Sequence, residues 1–225
     1  MVLPLTASPS LVIFDCDGVL VDSEKPMHEE LRDELELRGI SMSFETCLTS
    51  FMGKSIEDVI DTAAQLGADL PSNWKAILYE RVFERLKQGV EVIPGVPEFV
   101  ARLKTVGIPF CVVSNGSEKK MQLMLSQHDL WDDFKDNCFS AHTVGIAKPD
   151  PGLLRYALDT MNARANQAVI IEDSEIGIKS AENADVPCLI YDPSFGGGSS
   201  AVHAKSRFSS MDEISSHLFS FIGDT

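Results

Sequence analysis

The fold of this chain is decided by one stretch near its start, LVIFDCDGV at residues 11–19. Its first four residues are apolar, and three of them are β-branched or aromatic, which indicates a short buried strand. The strand runs into Asp15 and Asp17, whose side chains point to the same side while the chain stays extended. Two like charges at the end of a buried strand repel each other and lose hydration. We expect such a pair where a hard cation binds, or where two carboxylates divide nucleophilic and acid–base work.

Around this strand the chain contains two kinds of sequence. Residues 24–88 show helical patterns, such as Met27, Leu31 and Leu35 at a spacing of four, and no convincing strand. From residue 89 onward, short apolar runs alternate with helical patterns, which is typical of a parallel α/β sheet. We therefore predict an α/β fold with a Rossmann-like parallel-sheet core. Its domains would be a catalytic core of residues 1–22 and 90–225, and an inserted α-helical cap of residues 23–89.

Polar residues follow the later strands at the same relative point. Ser114 and Asn115 come at the end of one apolar run, and Glu172 and Asp173 come at the end of another. The carboxyl ends of parallel strands share one edge of the sheet, where ligands bind. We therefore expect these residues to lie beside the first two aspartates, with the helical insert acting as a lid.

Composition limits the classes of partner. Apolar residues make up 44% of the chain, which is enough for a full core. Lys and Arg number 19 against 34 Asp and Glu, a formal charge of −15. This balance argues against binding to nucleic acid or to an anionic membrane, because both need a basic surface. An anionic ligand would need local positive charge.

The cysteines and the N-terminal sequence suggest a cytoplasmic protein. The five cysteines are odd in number and show no C-x-x-C spacing, which favours reduced thiols. The first residues lack Lys or Arg, and two prolines interrupt their apolar stretch, so we expect no signal peptide.

Four motifs occur in order along the chain: DCDGV at 15–19, SNG at 114–116, KPDP at 148–151 and EDS at 172–174. Together they resemble the motifs of the haloacid dehalogenase-like hydrolase superfamily, in its phosphatase branch with a helical cap. The resemblance covers roughly residues 11–191. Within the superfamily, the chain is similar to the β-phosphoglucomutase and phosphoglycolate phosphatase-like group, and especially to sugar-phosphate phosphatases of the 6-phosphogluconate type. The resemblance implies hydrolysis of a small phosphorylated metabolite, a sugar phosphate or sugar-acid phosphate.

The resemblance also implies roles for individual residues. Asp15 would attack phosphorus and form an aspartyl-phosphate. Asp17 would protonate the leaving alkoxide and later take a proton from water. Ser114 would donate a hydrogen bond to a phosphoryl oxygen, and Lys148 would neutralise charge on the phosphoryl group and on the nucleophile.

Two further sets of contacts come from the same resemblance. Asn115 and Gly116 would bind the phosphoryl group beside Ser114. A Mg²⁺ ion would be held by oxygen ligands only, which suits this ion. Its protein ligands would be the side chains of Asp15 and Asp173, the backbone carbonyl of Asp17, and Glu172 directly or through water.

Each motif also has a plain structural interpretation. Aspartates after a strand can bond the backbone of a turn, and Ser-Asn-Gly is an ordinary turn sequence. A lysine before proline is usually a solvated loop residue, and acidic residues at 172–173 suit a helix N-terminus. Four motifs in this order, each after a strand, favour the functional interpretation.

Two alternative activities stay open at this point. Mutases of the resembled group carry a histidine ten positions after the second aspartate, whereas this chain has Met27 there and His28 one step on. A shift of one residue turns a helical side chain by about 100°, so hydrolysis is favoured over β-phosphoglucomutase-like phosphoryl transfer. A phosphorylated signalling receiver also uses Asp, Ser or Thr, Lys and Mg²⁺, but its acceptor aspartate follows the third strand, where this chain has Ser114.

Specificity is expected from the cap. The resemblance places Gly53-Lys54-Ser55 in a loop that contacts substrate, so Lys54 would bind a carboxylate or hydroxyl group, although a plain surface lysine is the alternative. Lys119 and Lys120 are predicted to be the solvated start of a helix. The protein is expected to be a monomer or a weak dimer.

Overall fold

A parallel sheet forms the centre of the unit that contains residues 11–19. The structure is a computed structural model, and it describes residues 2–51, 54, 56–194 and 206–221. Its strands are β1 (Leu11–Phe14), β2 (Val21–Asp22), β3 (Glu91–Val92), β4 (Phe110–Ser114), β5 (Cys138–Ser140), β6 (Ala168–Glu172), β7 (Cys188–Tyr191) and β8 (Arg207–Phe208). Six of them form one sheet in the order β5-β4-β1-β6-β7-β8, with every neighbouring pair parallel. β2 and β3 form a separate two-stranded sheet. The predicted α/β fold with a parallel-sheet core is therefore confirmed.

Strand β1 lies in the middle of this sheet because all of its residues are apolar. At most 1% of the surface of each side chain is exposed. Val12 is paired with Phe110 on one side and with Val169 on the other. The ring of Phe14 packs edge-on against Phe99 of a covering helix. A strand buried on both faces is apolar throughout rather than at alternate positions, and this explains the continuous run at residues 11–14.

The helices divide the chain into two compact units. They are α1 (Glu24–Leu37), α2 (Phe44–Phe51), α3 (Ile56–Gln65), α4 (Trp74–Gln88), α5 (Val96–Val106), α6 (Glu118–Leu125), α7 (Trp131–Phe134), α8 (Ala141–Val144), α9 (Gly152–Thr160), α10 (Glu175–Ala184) and α11 (Met211–Phe219). One unit comprises Met1–Val21 and Val92–Thr225, and the other comprises Asp22–Glu91. The assignment of these parts of the chain to a catalytic core and a cap stays a prediction.

The unit Asp22–Glu91 contains α1 to α4 and has its own apolar interior. Leu31 and Leu35 of α1 are buried, as are Trp74 and Leu78 of α4. The sequence predicts that this part of the chain is helical, but it predicts no separate helix over the residues of α2. Its residues FETCLTSF include Thr, Cys and Phe, which are weak helix formers. Cys47 is buried, so tertiary packing rather than intrinsic helix propensity stabilises this helix.

Buried acidic side chains on α1 are paired with arginines on α4. Glu30 accepts hydrogen bonds from Arg81 Nε at 2.6 Å and from Arg85 Nε at 2.8 Å. Burial alone would raise the pKa of Glu30, but its bonds to the two arginines outweigh burial and lower the pKa below its usual value. Glu34 Oε2 accepts a hydrogen bond from Trp74 Nε1 at 3.1 Å. Because each carboxylate has these partners, the unit tolerates charge in its interior.

The structure also shows whether its helices could span a membrane and whether its cysteines are paired. None of the helices in the described ranges is both long and apolar enough to cross a membrane. All five cysteines are described, and each is a free thiol. Cys16, between the first two aspartates, is fully buried, and burial raises its pKa well above the usual value. Burial and a raised pKa both disfavour the thiolate, which is the reactive form of cysteine.

Candidate active site

Three adjacent strands bring the predicted site residues to one edge of the sheet. Asp15 directly follows β1, Ser114 is the last residue of β4, and Glu172 is the last residue of β6. β1 lies between β4 and β6, so the ends of these three strands are neighbours. Asp15, Ser114 and Glu172 are all buried, with at most 8% of their surface exposed. The fold therefore concentrates polar side chains where the apolar strands end.

Lys148 joins the first and last of these strands through its ammonium group. Its Nζ lies 2.5 Å from Asp15 Oδ1 and 2.6 Å from Glu172 Oε1, and the residue is only 5% exposed. Burial alone would lower the pKa of Lys148, but the two carboxylates outweigh burial and raise it, so the group stays charged. Burial raises the pKa of Asp15 well above its usual value. Lys148 opposes this rise, and the carboxylates of Glu172, Asp17 and Asp173 add to it.

Glu172 is held by four donors besides its position on the strand. Its Oε2 accepts from the backbone N–H groups of Asp173 and Ser174, each at 3.1 Å, and from the Ser174 hydroxyl at 2.9 Å. Its Oε1 accepts from Lys148. Gly177 in the first turn of α10 makes room for this carboxylate, because a β-carbon at position 177 would lie 1.7 Å from Oε1. Glu172 is therefore oriented by its surroundings and in turn orients the lysine.

Asp17 is paired with a lysine that the sequence analysis placed in solvent. Lys120 Nζ lies 2.6 Å from Asp17 Oδ1, and the Ser114 hydroxyl donates to Asp17 Oδ2 at 3.5 Å. Burial alone would lower the pKa of Lys120, but Asp17 outweighs burial and raises it. Lys119 and Lys120 lie in the first turn of α6 as predicted, and Lys119 is exposed, but the prediction that Lys120 is simply solvated is wrong because it is paired with Asp17. Helix α6 begins directly after the loop that follows β4, so its first turn lies at the edge of the sheet where the site is formed.

Residues of the SNG motif form hydrogen bonds with one another and with the backbone of Lys148. Asn115 Oδ1 accepts from the Lys148 backbone N–H at 2.8 Å, and Asn115 Nδ2 donates to the Lys148 carbonyl at 3.0 Å. The Gly116 N–H donates to Ser114 Oγ at 2.9 Å. The Asn115 side chain therefore fixes the backbone that carries the buried lysine. Phosphoryl binding by Asn115 and Gly116 stays a prediction.

Three carboxylates are arranged to hold a cation. Asp15, Glu172 and Asp173 each offer an oxygen, and these oxygens lie within 4.8 Å of one another. Gly18 has φ +80°, and a β-carbon there would lie 2.0 Å from Asp173 Oδ2, so only glycine allows this approach. Oxygen donors of this kind are the ligands that hard divalent cations prefer. The residues present therefore fit a divalent cation.

The predicted residues of the other unit have local partners there. Lys54 is exposed, and its Nζ donates to Thr62 Oγ1 at 2.9 Å. The flanking Gly53 and Ser55 of the predicted loop lie outside the described residues. His28 is buried on α1, with its Nδ1 2.9 Å from the carbonyl oxygen of Glu24.

Comparison with known proteins is consistent with this geometry. Residues 12–191 match the family described as haloacid dehalogenase-like hydrolase. A 6-phosphogluconate phosphatase of Escherichia coli (strain K12) is 31% identical over 182 residues, which cover 80% of this chain and 81% of the relative. A phosphoglycolate phosphatase of Rhodobacter capsulatus is 28% identical and covers 82% of this chain and 84% of its own.

A solved structure shows the same fold. It is a haloacid dehalogenase family hydrolase from Deinococcus radiodurans R1 with bound phosphate and sodium. It has a TM-score of 0.77 and 25% identity, and the match covers 96% of this chain and 97% of that one. These matches confirm the resemblance drawn from the four motifs and argue against a signalling receiver. The chain therefore belongs to the haloacid dehalogenase-like hydrolase family and is a phosphatase of that family.

Proposed function

We propose that this phosphatase hydrolyses the phosphate monoester of a sugar or a sugar acid, with Mg²⁺ as cofactor and an aspartyl-phosphate at Asp15 as intermediate. The observation that carries the proposal is the contact of the buried Lys148 ammonium group with Asp15, next to carboxylates that can hold a cation. The names of the relatives support the substrate class, since 6-phosphogluconate is a sugar-acid phosphate and phosphoglycolate is a phosphorylated small acid.

The first step transfers the phosphoryl group to the enzyme. A carboxylate oxygen of Asp15 forms a bond to phosphorus, and the bond from phosphorus to the alkoxide oxygen breaks. Oδ1 of Asp15 is held by Lys148, so Oδ2 is the attacking oxygen in this proposal. Lys148 offsets the negative charge that spreads over the phosphoryl oxygens. Asp17 gives its proton to the leaving oxygen, so the products are an alcohol, an aspartyl-phosphate and the Asp17 carboxylate.

The second step regenerates the enzyme. A water oxygen bonds to phosphorus, the bond from phosphorus to Asp15 breaks, and Asp17 takes a proton from the water. Inorganic phosphate leaves and the starting protonation state returns. Ser114, buried at the end of β4, donates a hydrogen bond to a phosphoryl oxygen in both steps of the proposal.

Bound Mg²⁺ would offset the negative charge of the phosphoryl group and of the site carboxylates. Asp15 and Asp173 would hold it through their side chains, and Asp17 through its backbone carbonyl. Glu172 would hold it directly or through water.

Phosphoryl transfer of the β-phosphoglucomutase kind is the alternative activity. Mutases of the resembled group carry a histidine ten positions after the second aspartate, where this chain has Met27 with His28 one step on. The His28 ring is buried, and its Nδ1 is within hydrogen-bond distance of the backbone carbonyl oxygen of Glu24. These contacts indicate a structural role for this side chain. This observation favours hydrolysis. Measuring phosphate release and isomer formation from hexose 1-phosphates distinguishes the two activities.

The test of the mechanism removes the nucleophile without changing its shape. Asp15→Asn should abolish phosphate release from 6-phosphogluconate and 2-phosphoglycolate, and should abolish formation of the BeF₃⁻ adduct seen by ¹⁹F NMR. Asp159→Asn, at an exposed position on α9, is the matched control and should behave as the wild type. Full turnover by Asp15→Asn would overturn the covalent mechanism.

The test of the cofactor is removal and return of the metal. Excess EDTA should stop phosphate release, and added Mg²⁺ should restore it. Turnover that persists in EDTA would refute the need for a divalent ion. A panel of phosphorylated sugars and sugar acids, assayed for phosphate release, identifies the substrate.

A further inference from the structure

The ion pair between Lys120 and Asp17 is not used in any step of the mechanism proposed above. Lys120 Nζ lies 2.6 Å from Asp17 Oδ1, and the two side chains are 27% and 23% exposed. The other cation of the site, Lys148, is engaged by Asp15 and Glu172. Asp17 therefore receives its positive partner from a different element, helix α6.

The position of Lys120 is determined by the start of this helix. Ser117 caps α6, and its hydroxyl oxygen accepts a hydrogen bond from the Lys120 backbone N–H at 3.3 Å. Side chains in the first turn of a helix lean toward its N-terminus, which here is the end next to β4. The capped start of α6 therefore directs the Lys120 side chain toward the strand ends, whereas a lysine on a free loop would have no fixed direction.

The Asp17 carboxylate is bounded on more than one side. Oδ1 faces Lys120, Oδ2 accepts from Ser114, and a β-carbon at Gly116 would lie 3.4 Å from Oδ2. The carboxylate therefore occupies a defined place between the lysine and the serine. An acid–base group must be held within hydrogen-bond reach of the oxygen it serves, so a defined place has a direct catalytic use.

We propose that Lys120 is a positioning residue for Asp17, holding its carboxylate beside Ser114 so that it can exchange a proton with the leaving oxygen. This inference rests on the acid–base role of Asp17 in the proposed function. When Asp17 gives its proton to the leaving alkoxide, the bond from phosphorus to oxygen breaks, an alcohol forms, and the carboxylate that results is again paired with the ammonium group. Lys120 itself gives no proton and makes no bond.

The test uses two substrates that differ in their need for an acid. The phenolate of phenyl phosphate is a poor leaving group and needs to be protonated as it departs. The p-nitrophenolate of p-nitrophenyl phosphate departs readily without protonation. The quantity compared is kcat/KM, because it reports the steps up to loss of the leaving group and excludes hydrolysis of the phosphoenzyme. Lys120→Met should lower kcat/KM about 10- to 100-fold for phenyl phosphate, and less than about threefold for p-nitrophenyl phosphate.

Two variants control for charge and for folding. Lys119→Met removes the same charge from the neighbouring position, which faces about 100° away on the helix, and should leave both substrates unchanged. Lys120→Arg keeps the ion pair and should restore most of the activity toward phenyl phosphate. Thermal unfolding of each variant shows whether the protein is folded.

A double variant separates this inference from the proposed function. In Asp17→Asn, adding Lys120→Met should cause no further loss with phenyl phosphate, because the group to be positioned is gone. Equal losses with both substrates in Lys120→Met alone would mean that the lysine binds the phosphoryl group, and would overturn the inference. Unchanged kinetics in that variant would overturn it as well. If Asp17→Asn itself shows no dependence on the leaving group, the acid–base role in the proposed function is what fails.

Discussion

Substitution of Gly177 by alanine should disable the site by displacing the carboxylate of Glu172. In α10 a β-carbon at residue 177 would lie 1.7 Å from Glu172 Oε1, 1.9 Å from its Cδ and 2.3 Å from Oε2. Real β-carbons essentially never approach closer than 3.0 Å, so Oε1 would have to move by at least the difference from 1.7 Å, about 1.3 Å. A shift of that size breaks the 2.6 Å bond from Lys148 to Oε1.

The expected magnitudes come from two opposing effects. Alanine is favoured over glycine in a helix by about 1 kcal/mol. A hydrogen bond to a charged group contributes about 1.5–3 kcal/mol, and the displaced carboxylate loses at least the one from Lys148. The net free energy of unfolding should therefore fall by about 0.5–2 kcal/mol, or roughly 1–8 °C in Tm for a chain of this size. Misplacement by about 1 Å in a catalytic site lowers the rate by about 100-fold.

Activity and stability are measured together on the purified variant. We expect Gly177→Ala to lower kcat/KM for p-nitrophenyl phosphate about 100-fold, with a modest loss in Tm by differential scanning fluorimetry. Lys179→Ala, an exposed position on the same helix, is the control and should match the wild type in both measurements. A Gly177→Ala protein that is more stable than the wild type and equally active would refute the proposed link between the glycine, Glu172 and the lysine.

Three further predictions concern other contacts. Glu30→Gln removes a carboxylate whose folded-state pKa is lowered, so the stability it contributes is present above its unfolded pKa and is lost as the pH falls. Urea unfolding should therefore show wild type and Glu30→Gln differing by about 1–3 kcal/mol at pH 7 and converging in acid, whereas Glu36→Gln shows little difference at either pH. Asn115→Asp replaces the donor facing the Lys148 carbonyl with an acceptor and should cost about 1–3 kcal/mol of stability. An unchanged unfolding midpoint would show that the Asn115 side chain does not stabilise the backbone at Lys148. Lys54→Ala should raise KM for the physiological substrate about tenfold with little change in kcat, and an unchanged KM would exclude a contact.

The residues at the strand ends were predictable, because one recognisable strand and one rule of sheet topology are enough to place them together. Apolar residues 11–14 identify a strand buried on both faces, and parallel strands place their carboxyl ends at one edge. Asp15, Ser114 and Glu172 follow from that rule, and Lys148 follows from the motif around it. Helix α2 was not predictable in the same way, because its propensity is low and its burial is set by contacts outside its own sequence.

The amino-acid sequence alone determined the class of fold, the family and the set of acidic residues near the strand ends, because these depend on local periodicity and on motifs a few residues long. Only the tertiary structure decided which partner each of these side chains has. Lys120 and Asp17 are 103 positions apart, and Asn115 and Lys148 are 33 apart. Spacing along the chain does not distinguish a lysine at a site from one in solvent, since that depends on where a helix begins in space. The same reason explains Gly177, whose importance is visible only when the Glu172 carboxylate lies against it.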